Sequence, residues 1–206
     1  MKEAPAIAVL EFDSVAVGTH AADAMAKKAT LTTFRTGTVH PGKYVVLIGG
    51  MVGDVNEAYV EGLRVGAEAL SDEVFLPDVH HQVYHAVGGK RQALDGEALG
   101  VIEASGLAAT VLAADKAVKA AKVTIVEIRL GDDLGGKGIT HVCGTLHDVQ
   151  AAVQAGLAAI TRPNVTVQHT IIPAVDDSLR QGINRTTRFF GEPAEPAPAD
   201  QAGSGA

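Results

Sequence analysis

The amino-acid sequence predicts an α+β protein built from two tandem copies of one small domain, each an antiparallel sheet covered by helices. Two observations support this prediction. The chain of 206 residues matches itself at a spacing of about 92 to 96 residues, and both copies alternate short apolar runs with Ala-rich helical segments in the same order. Aromatic residues make up only 4% and glycines number 23. We therefore expect a core of small aliphatic side chains with close backbone approaches.

The internal match keeps glycine, acid and lysine positions together, which chance similarity between two Ala-rich stretches would not do. The offset between the copies grows from 92 to 94 after a two-residue insertion near Asp132-Asp133, and then to 96. The sequence therefore contains a duplication. The matched pairs include Asp23 with Asp115, Lys27 with Lys119, Gly42-Lys43 with Gly136-Lys137, Asp54-Val55 with Asp148-Val149, and Pro77 with Pro173.

Each copy has the order strand, helix, strand, strand, helix, strand, followed by a short helical segment after a proline. Ala22, Ala26 and Ala29 place small side chains on one face of the first helix, so that it can lie close to a sheet. An acid three residues after Asp54 and after Thr145 indicates the start of each second helix. The predicted strands are Ala6–Glu11, Leu31–Arg35, Lys43–Ile48, Glu73–Leu76, Leu99–Glu103, Val123–Arg129, Gly138–Cys143 and Val165–Ile172, and the predicted first helices are His20–Ala29 and Thr110–Ala121, with the second helices running to about Leu70 and Thr161.

Composition shifts divide the chain into four segments. We predict a first domain over residues 1–88, a linker over 89–97, a second domain over 98–190, and a disordered tail rich in Pro, Ala and Gly over 191–206. A small sheet leaves edges and one face that need partners, so we also expect oligomerisation.

Charge and motif content exclude several classes of function. The formal net charge is -7, from 17 basic and 24 acidic residues, which argues against a dedicated nucleic-acid binder. Cys143 is the single cysteine and forms neither an internal disulfide nor a CxxC metal site. No leader pattern occurs at Met1–Ala8 and no apolar run approaches 18 residues, so we expect a soluble, cytoplasmic protein without membrane partners. No Gly-x-Ser-x-Gly, P-loop or Gly-x-Gly-x-x-Gly pattern is present, so the sequence predicts no catalytic residues, no cofactor and no enzyme activity.

Four segments resemble a known domain. The stretches Ala8–Thr32 and Gly100–Val126 resemble the opening of a bacterial microcompartment (BMC) shell domain, a ferredoxin-like variant fold, and residues 42–62 and 136–156 resemble its second half. The resemblance covers roughly residues 6–185 in two tandem copies. It is that of the tandem-domain, trimer-forming class of shell proteins, similar to the propanediol-utilisation type.

This resemblance implies a structural shell protein: a homotrimer shaped like the hexamers of single-domain relatives, packed laterally against other shell proteins around a central opening for small metabolites. It places Lys27 and Lys119 at the tile edge. It also implies that the edge arginine of many relatives is missing, because Asp78 and Ala174 stand at that position. The implied pore-lining residues are Val39, His40, Pro41 and Gly42 in the first copy and Asp133, Leu134, Gly135 and Gly136 in the second.

Two histidine groups invite a metal hypothesis. His80, His81 and His85 lie close in sequence, but no nearby carboxylate or cysteine completes a ligand set, and a solvated helix face explains them more simply. In a trimer, three copies of His40 could ring one axis as ligands or as polar groups at the pore rim. Some related trimers hold an iron–sulfur cluster through a cysteine in this loop, and His40 argues against that here because such clusters need thiolates. We predict no metal site.

Two further alternatives remain open at this stage. Glu11 and Glu103 recur at equivalent strand ends, where they are either an acid/base pair or, as we favour, structural carboxylates that accept hydrogen bonds from backbone amides. The second alternative concerns the whole protein: a trimeric ferredoxin-like sensor would bind a small molecule at clefts between subunits. It would need a constellation of polar ligand-binding residues that the sequence does not reveal.

Overall fold

A computed structural model describes residues 5–131 and 133–189 of the chain. The predicted tail over 191–206 lies outside the described residues, as does Asp132. The first domain contains β1 (Ala6–Phe12), α1 (Val15–Lys28), β2 (Thr33–Val39), β3 (Lys43–Gly50), α2 (Val52–Gly66), β4 (Leu70–Leu76) and α3 (His81–Val87). The second contains β5 (Ala98–Ala104), α4 (Leu107–Ala120), β6 (Thr124–Leu130), β7 (Gly138–Gly144), α5 (Leu146–Ala159), β8 (Val167–Ile172) and α6 (Asp177–Arg185).

Both domains have the same sheet. The strand order is β2-β3-β1-β4 in the first and β6-β7-β5-β8 in the second, and every neighbouring pair is antiparallel. The register is equivalent too, because Ala8 pairs with Ile48 and its counterpart Gly100 pairs with Val142. The predicted α+β fold and the duplication are confirmed.

Helices cover one face of each sheet. In the first domain Leu10 and Phe12 pack under α1 and α2 around Met25. Helix α2 can lie this close to the sheet because Gly66 has no side chain: a Cβ there would lie 2.2 Å from Phe12 Cε1. The opposite face of the first sheet carries Ile7 and Val9, which join a core cluster that includes α4 of the second domain. One hydrophobic cluster therefore spans both domains, beside the separate cluster under α1 and α2.

The segment between the domains is packed against the second domain. Leu94 is buried, and its amide donates to Asn184 Oδ1 at 2.7 Å. The Gln92 amide donates to the Val126 carbonyl at 2.9 Å, which adds a contact to the start of β6. These bonds fix the path from α3 to β5.

Element ends differ from the predictions in a few places. Helix α1 begins at Val15, five residues before the predicted start, because Ser14 Oγ accepts from the Val17 amide and caps the helix. The capping box expected at Asp54 is wrong: α2 follows Met51, which makes no side-chain cap bond. The capping box at Thr145 is confirmed, since Thr145 Oγ1 accepts from the Asp148 amide at 3.2 Å.

Strand β4 also begins earlier than expected. It starts at Leu70, where the sequence predicted that α2 still continues, and α2 ends at Gly66. The chain turns between them with a bond from the Ala69 amide to the Gly66 carbonyl at 3.0 Å. Helix α4 likewise begins three residues before the predicted Thr110, at Leu107.

Candidate functional site

Two hairpin turns contain all eight residues that the sequence places at a pore. Val39 ends β2, and the turn that follows is closed by a 2.9 Å bond from the Gly42 amide to the Val39 carbonyl, with a cis peptide between His40 and Pro41. Gly42 has φ of 99°, which suits a residue without Cβ. The longer turn between β6 and β7 contains Asp133, Leu134, Gly135 and Gly136, and three of these four have positive φ.

The two turns contact each other across the boundary between the domains. A Cβ on Gly136 would lie 2.8 Å from Pro41 Cδ and 3.0 Å from the His40 carbonyl oxygen. A Cβ on Gly131 would lie 2.8 Å from Val39 Cβ. The fold therefore brings together residues that lie almost a hundred positions apart in sequence. Their role in a pore stays a prediction, because it depends on how further copies of the chain assemble.

The start of α4 is capped by carboxylates from the first domain. Its N-cap residue, Gly106, has no side chain to offer. Glu11 Oε2 accepts from the Leu107 amide at 2.7 Å, and Asp72 Oδ2 accepts from the Ala109 amide at 2.8 Å. Both carboxylates are buried, and the positive end of the helix dipole favours them there.

Glu11 and Glu103 occupy equivalent sequence positions but have different surroundings in the structure. Glu11 also pairs with Lys43 and is completely buried, which confirms a structural role for this carboxylate. Glu103 is 36% exposed and pairs with Lys137, Nζ to Oε1, at 2.8 Å. Within residues 5–131 and 133–189, Glu103 accepts no hydrogen bond from a backbone amide, so the capping role expected for it is not seen in the single chain.

A second polar group at the junction was not found from the sequence. Arg162 of the second domain pairs with Asp72 and with Glu73 Oε1, the latter at 2.9 Å. Tyr59 donates to the other oxygen of Glu73. Burial first, and then the bond to Glu73, raise the pKa of the Tyr59 hydroxyl well above its usual range. The only sequence signal is the adjacent pair of acids in an otherwise apolar strand.

The two lysines predicted at the tile edge lie in different surroundings. Lys119 donates to the Asp78 carbonyl of the first domain and to Asp115 Oδ2, and Asp115 also accepts from the His80 amide at 2.9 Å. Lys27 pairs with its helix neighbour Asp23 and with no other residue in the described part of the chain, and its side chain is 74% exposed. Lys119 therefore joins the domains within the chain, whereas Lys27 lies on an open surface. Their edge role stays a prediction.

The histidines at the start of α3 contact their own helix and each other. His80 is the N-cap of α3, where its Nδ1 accepts from the Gln82 amide at 3.3 Å, and burial lowers its pKa. The centroids of the His80 and His81 rings lie 4.4 Å apart, with the two ring planes tilted by 36°. Cys143 is buried beside Asp95, and burial raises the pKa of its thiol. Across the described parts of the chain, no three His, Cys, Asp or Glu side chains converge as a metal site would require.

Comparison with known proteins identifies the family. A family model described as the BMC domain matches residues 6–79 and 98–175. The bacterial microcompartment shell protein PduT of Citrobacter freundii is 34% identical over 174 residues, which covers 84% of this chain and 95% of PduT. The shell protein EutM of Salmonella typhimurium is 38% identical over 86 residues, 41% of this chain and 86% of EutM. One copy of the repeat thus corresponds to nearly a whole EutM chain.

A solved structure agrees with the sequence relatives. The crystal structure of a microcompartments protein from Desulfitobacterium hafniense DCB superposes with a TM-score of 0.76 and 36% identity, covering 85% of this chain and 98% of the other. The chain belongs to the BMC-domain family and is a tandem-domain shell protein of a bacterial microcompartment. The alternative of a ferredoxin-like sensor has no support from these matches. Among the described residues, no helix is both long and apolar enough to cross a membrane.

Proposed function

We propose that three copies of this chain close into a flat ring of six BMC domains, which forms one tile of the shell. The observation that carries the proposal concerns the contact between the two domains. Each side of that contact has an equivalent on the other domain, and these equivalent surfaces are more exposed in the single chain. At that junction the first domain presents its Glu11 face to α4 of the second domain. In the second domain the counterpart of Glu11 is Glu103, which is 36% exposed. In the first domain the counterpart of α4 is α1, which has far fewer buried residues.

Burial at equivalent positions supports this argument. Helix α4 has ten buried residues, whereas its counterpart α1 has four. Asp115 is 1% exposed, and its counterpart Asp23 is 54% exposed. A face on one domain that fits a different face on the next makes a head-to-tail contact, which closes into a ring when the rotation allows. Six pseudo-equivalent domains close such a ring with three chains.

The ring would place the two hairpin turns around its axis. Three turns carrying His40 and three carrying Asp133 would then alternate, so that the opening has threefold symmetry and passes small metabolites. The contact between Gly136 and Pro41 supports this arrangement, because it already joins one turn of each kind within a single chain. Lys27 and Lys119 would meet neighbouring tiles of other shell proteins. The protein would act as a structural component and not as an enzyme.

Particle mass tests the ring. We expect light scattering and native mass spectrometry to give three times the chain mass of 21.2 kDa. The variant Glu103→Ala should shift the particle toward smaller species, because Glu103 would accept from the Val15 amide of the next chain, the counterpart of the Leu107 amide, which the Ser14 cap leaves open. Glu57→Ala, on an exposed part of α2, is the matched control. A wild-type monomer or dimer at micromolar concentration would overturn the proposal.

Spin labels test the pore. A nitroxide on His40→Cys should show strong dipolar broadening in the assembled protein, because three labels would share one axis. A nitroxide on Arg64→Cys, on the exposed side of α2, should show none. Cys143 is buried, so the label is directed to the introduced thiol. Equal spectra at the two positions would contradict a pore lined by residues 39–42.

A further inference from the structure

We infer that a cavity between the two domains is a binding site for a small aliphatic anion, with a phosphate or carboxylate head. The cavity has a volume of about 420 Å³, which falls within the usual range for small-molecule sites. It is formed by β2 and β3 of the first domain and by β6 of the second, with the end of α3 and the segment after it at one side. This inference goes beyond the ring proposed above and does not depend on it, because residues of a single chain form the whole cavity.

The register of the first sheet shows which side chains face this space. Arg35 pairs with Leu47, and Gly37 pairs with Val45. Directly paired residues point to the same side of a sheet, so these four positions share a face. Val46, in between, packs on the opposite side with the cluster under α1 and α2. The cavity therefore lies on the sheet face that the first domain's own two long helices leave open.

The lining is strongly basic. Four arginines contribute to it, and Glu127 is its only carboxylate among the described residues. Arg91 and Arg129 both lie near this one carboxylate, with Nε of Arg91 at 3.2 Å and Nε of Arg129 at 3.9 Å from its oxygens. Arg188 pairs with Asp133 of the neighbouring turn. The four arginines are Arg35, Arg91, Arg129 and Arg188.

Arg35 is the group most available to a ligand. It lies on an edge strand with an exposed side chain, and no described residue forms an ion pair with it. Its counterpart in the second copy is Glu127, so the duplication has placed opposite charges at equivalent positions of the two edge strands. A guanidinium presents a planar fork of donors that fits phosphate and carboxylate oxygens. In a chain of net charge -7, this concentration of arginine favours an anion locally.

The rest of the lining defines the body of the ligand. The cavity also has an apolar wall, formed by Val39, Val45, Leu47, Val87 and Leu107. A short aliphatic chain would cover this wall while its anionic head meets the arginines. Val39 and Leu130 adjoin the two hairpin turns, so in a ring each of three cavities would hold its anion beside the central opening.

Calorimetric titration of the full-length protein tests the inference, with butyl phosphate, butyrate and inorganic phosphate as probes. We expect one site per chain for at least one of the two butyl anions, with tighter binding than inorganic phosphate because the apolar wall contributes. Stronger binding of butyl phosphate would identify a phosphate head, and stronger binding of butyrate a carboxylate head. Absence of saturable binding at millimolar concentration, or equal binding of inorganic phosphate, would overturn the proposal.

Two variants and a control locate the site. Arg35→Gln should weaken binding by about tenfold, the order expected for one charge-assisted hydrogen bond. Gly37→Phe should abolish binding by filling the cavity; a Cβ at Gly37 meets no atom within 4 Å, so we expect the sheet to tolerate the change. Arg64→Gln removes the same charge on the exposed face of α2 and should bind like wild type.

The variants also need to be folded. Thermal melts of both variants should match wild type, since Arg35 and Gly37 make no contact that the fold requires. If Arg35→Gln and Gly37→Phe melt normally and still bind at wild-type strength, the site is not this cavity. The binding site and the ring can fail separately. A monomeric particle that still binds the anion would support the site and contradict the ring, and a trimer that binds no anion would do the reverse.

Discussion

Glu11 Oε2 accepts a hydrogen bond from the backbone amide of Leu107 at 2.7 Å, although the two residues are 96 positions apart. The bond exists because α4 follows a glycine and cannot cap itself, whereas its counterpart α1 follows Ser14 and does. Helix α4 therefore has no local side-chain cap, and a carboxylate of the first domain takes that place. The two copies therefore differ in how their first helices are capped: α1 by its own Ser14, and α4 by the other domain.

Removal of the Glu11 carboxylate should destabilise the whole chain. Glu11→Ala leaves the buried Leu107 amide without its acceptor and the partly buried Lys43 without its partner. We expect a loss of roughly 3 kcal/mol in the free energy of unfolding, the order seen when one member of a buried pair is deleted. Urea unfolding followed by circular dichroism measures it. Glu57→Ala, which is exposed, should stay within about 0.5 kcal/mol of wild type, and equal losses in both variants would contradict the capping role.

Charge reversal separates the two lysines predicted at the tile edge. Lys119→Asp places a carboxylate beside buried Asp115 and removes the bond to the Asp78 carbonyl, so the melting temperature should fall. Lys27→Asp changes an exposed pair, and the chain should melt as wild type does.

Electron microscopy and light scattering then show where Lys27 acts. We expect the Lys27→Asp particle to keep its trimer mass while sheets of tiles are lost, because repulsion at a repeated contact accumulates over a lattice. Sheets that form normally would refute the edge position. A particle reduced to monomers would instead place Lys27 at the junction between chains.

Much of the fold could be predicted because the duplication preserves the local signals in both copies. The paired Gly-Lys turns and the Thr145 capping box gave the order of elements and the start of α5. The start of α1 was missed because Val15 and Val17 are β-branched and favour strands, and the Ser14 cap overrides this preference.

The contacts at the domain junction could not be predicted in the same way. Arg162 and Asp72 pair across 90 positions, and the four arginines of the cavity come from β2, the interdomain segment, β6 and the residues after α6. No spacing rule connects such residues, because their proximity depends on how one sheet packs beside the next. The predicted pore residues came from the family resemblance, and the structure adds that the two turns touch.

Two neighbouring glycines test the contact between the hairpin turns. Gly135 and Gly136 have φ of 61° and 82°, so alanine at either position costs about 1 kcal/mol from the left-handed backbone alone. Only Gly136 faces the other turn, where a Cβ would meet Pro41 Cδ at 2.8 Å. We expect Gly136→Ala to lose about 1 kcal/mol more than Gly135→Ala in chemical unfolding. Equal losses would show that the turns do not touch in solution.

Stability should fall in mild acid through His141. Burial lowers the pKa of this imidazole below its ordinary value of 6.5, the carboxylate of Glu127 opposes that shift, and Arg91 and Arg129 reinforce it. The unfolded chain therefore takes up a proton near pH 6.5 while the folded chain does not, so the stability present above that pH declines as the pH falls toward the folded pKa. One such proton changes the free energy of unfolding by at most about 1.4 kcal/mol per pH unit. Urea unfolding between pH 5 and 7 should give a shallower slope for His141→Gln than for wild type, while His147→Gln, at an exposed position, keeps the wild-type slope. If the His141→Gln slope equals the wild-type slope, His141 is already charged in the folded protein and the depressed pKa is wrong.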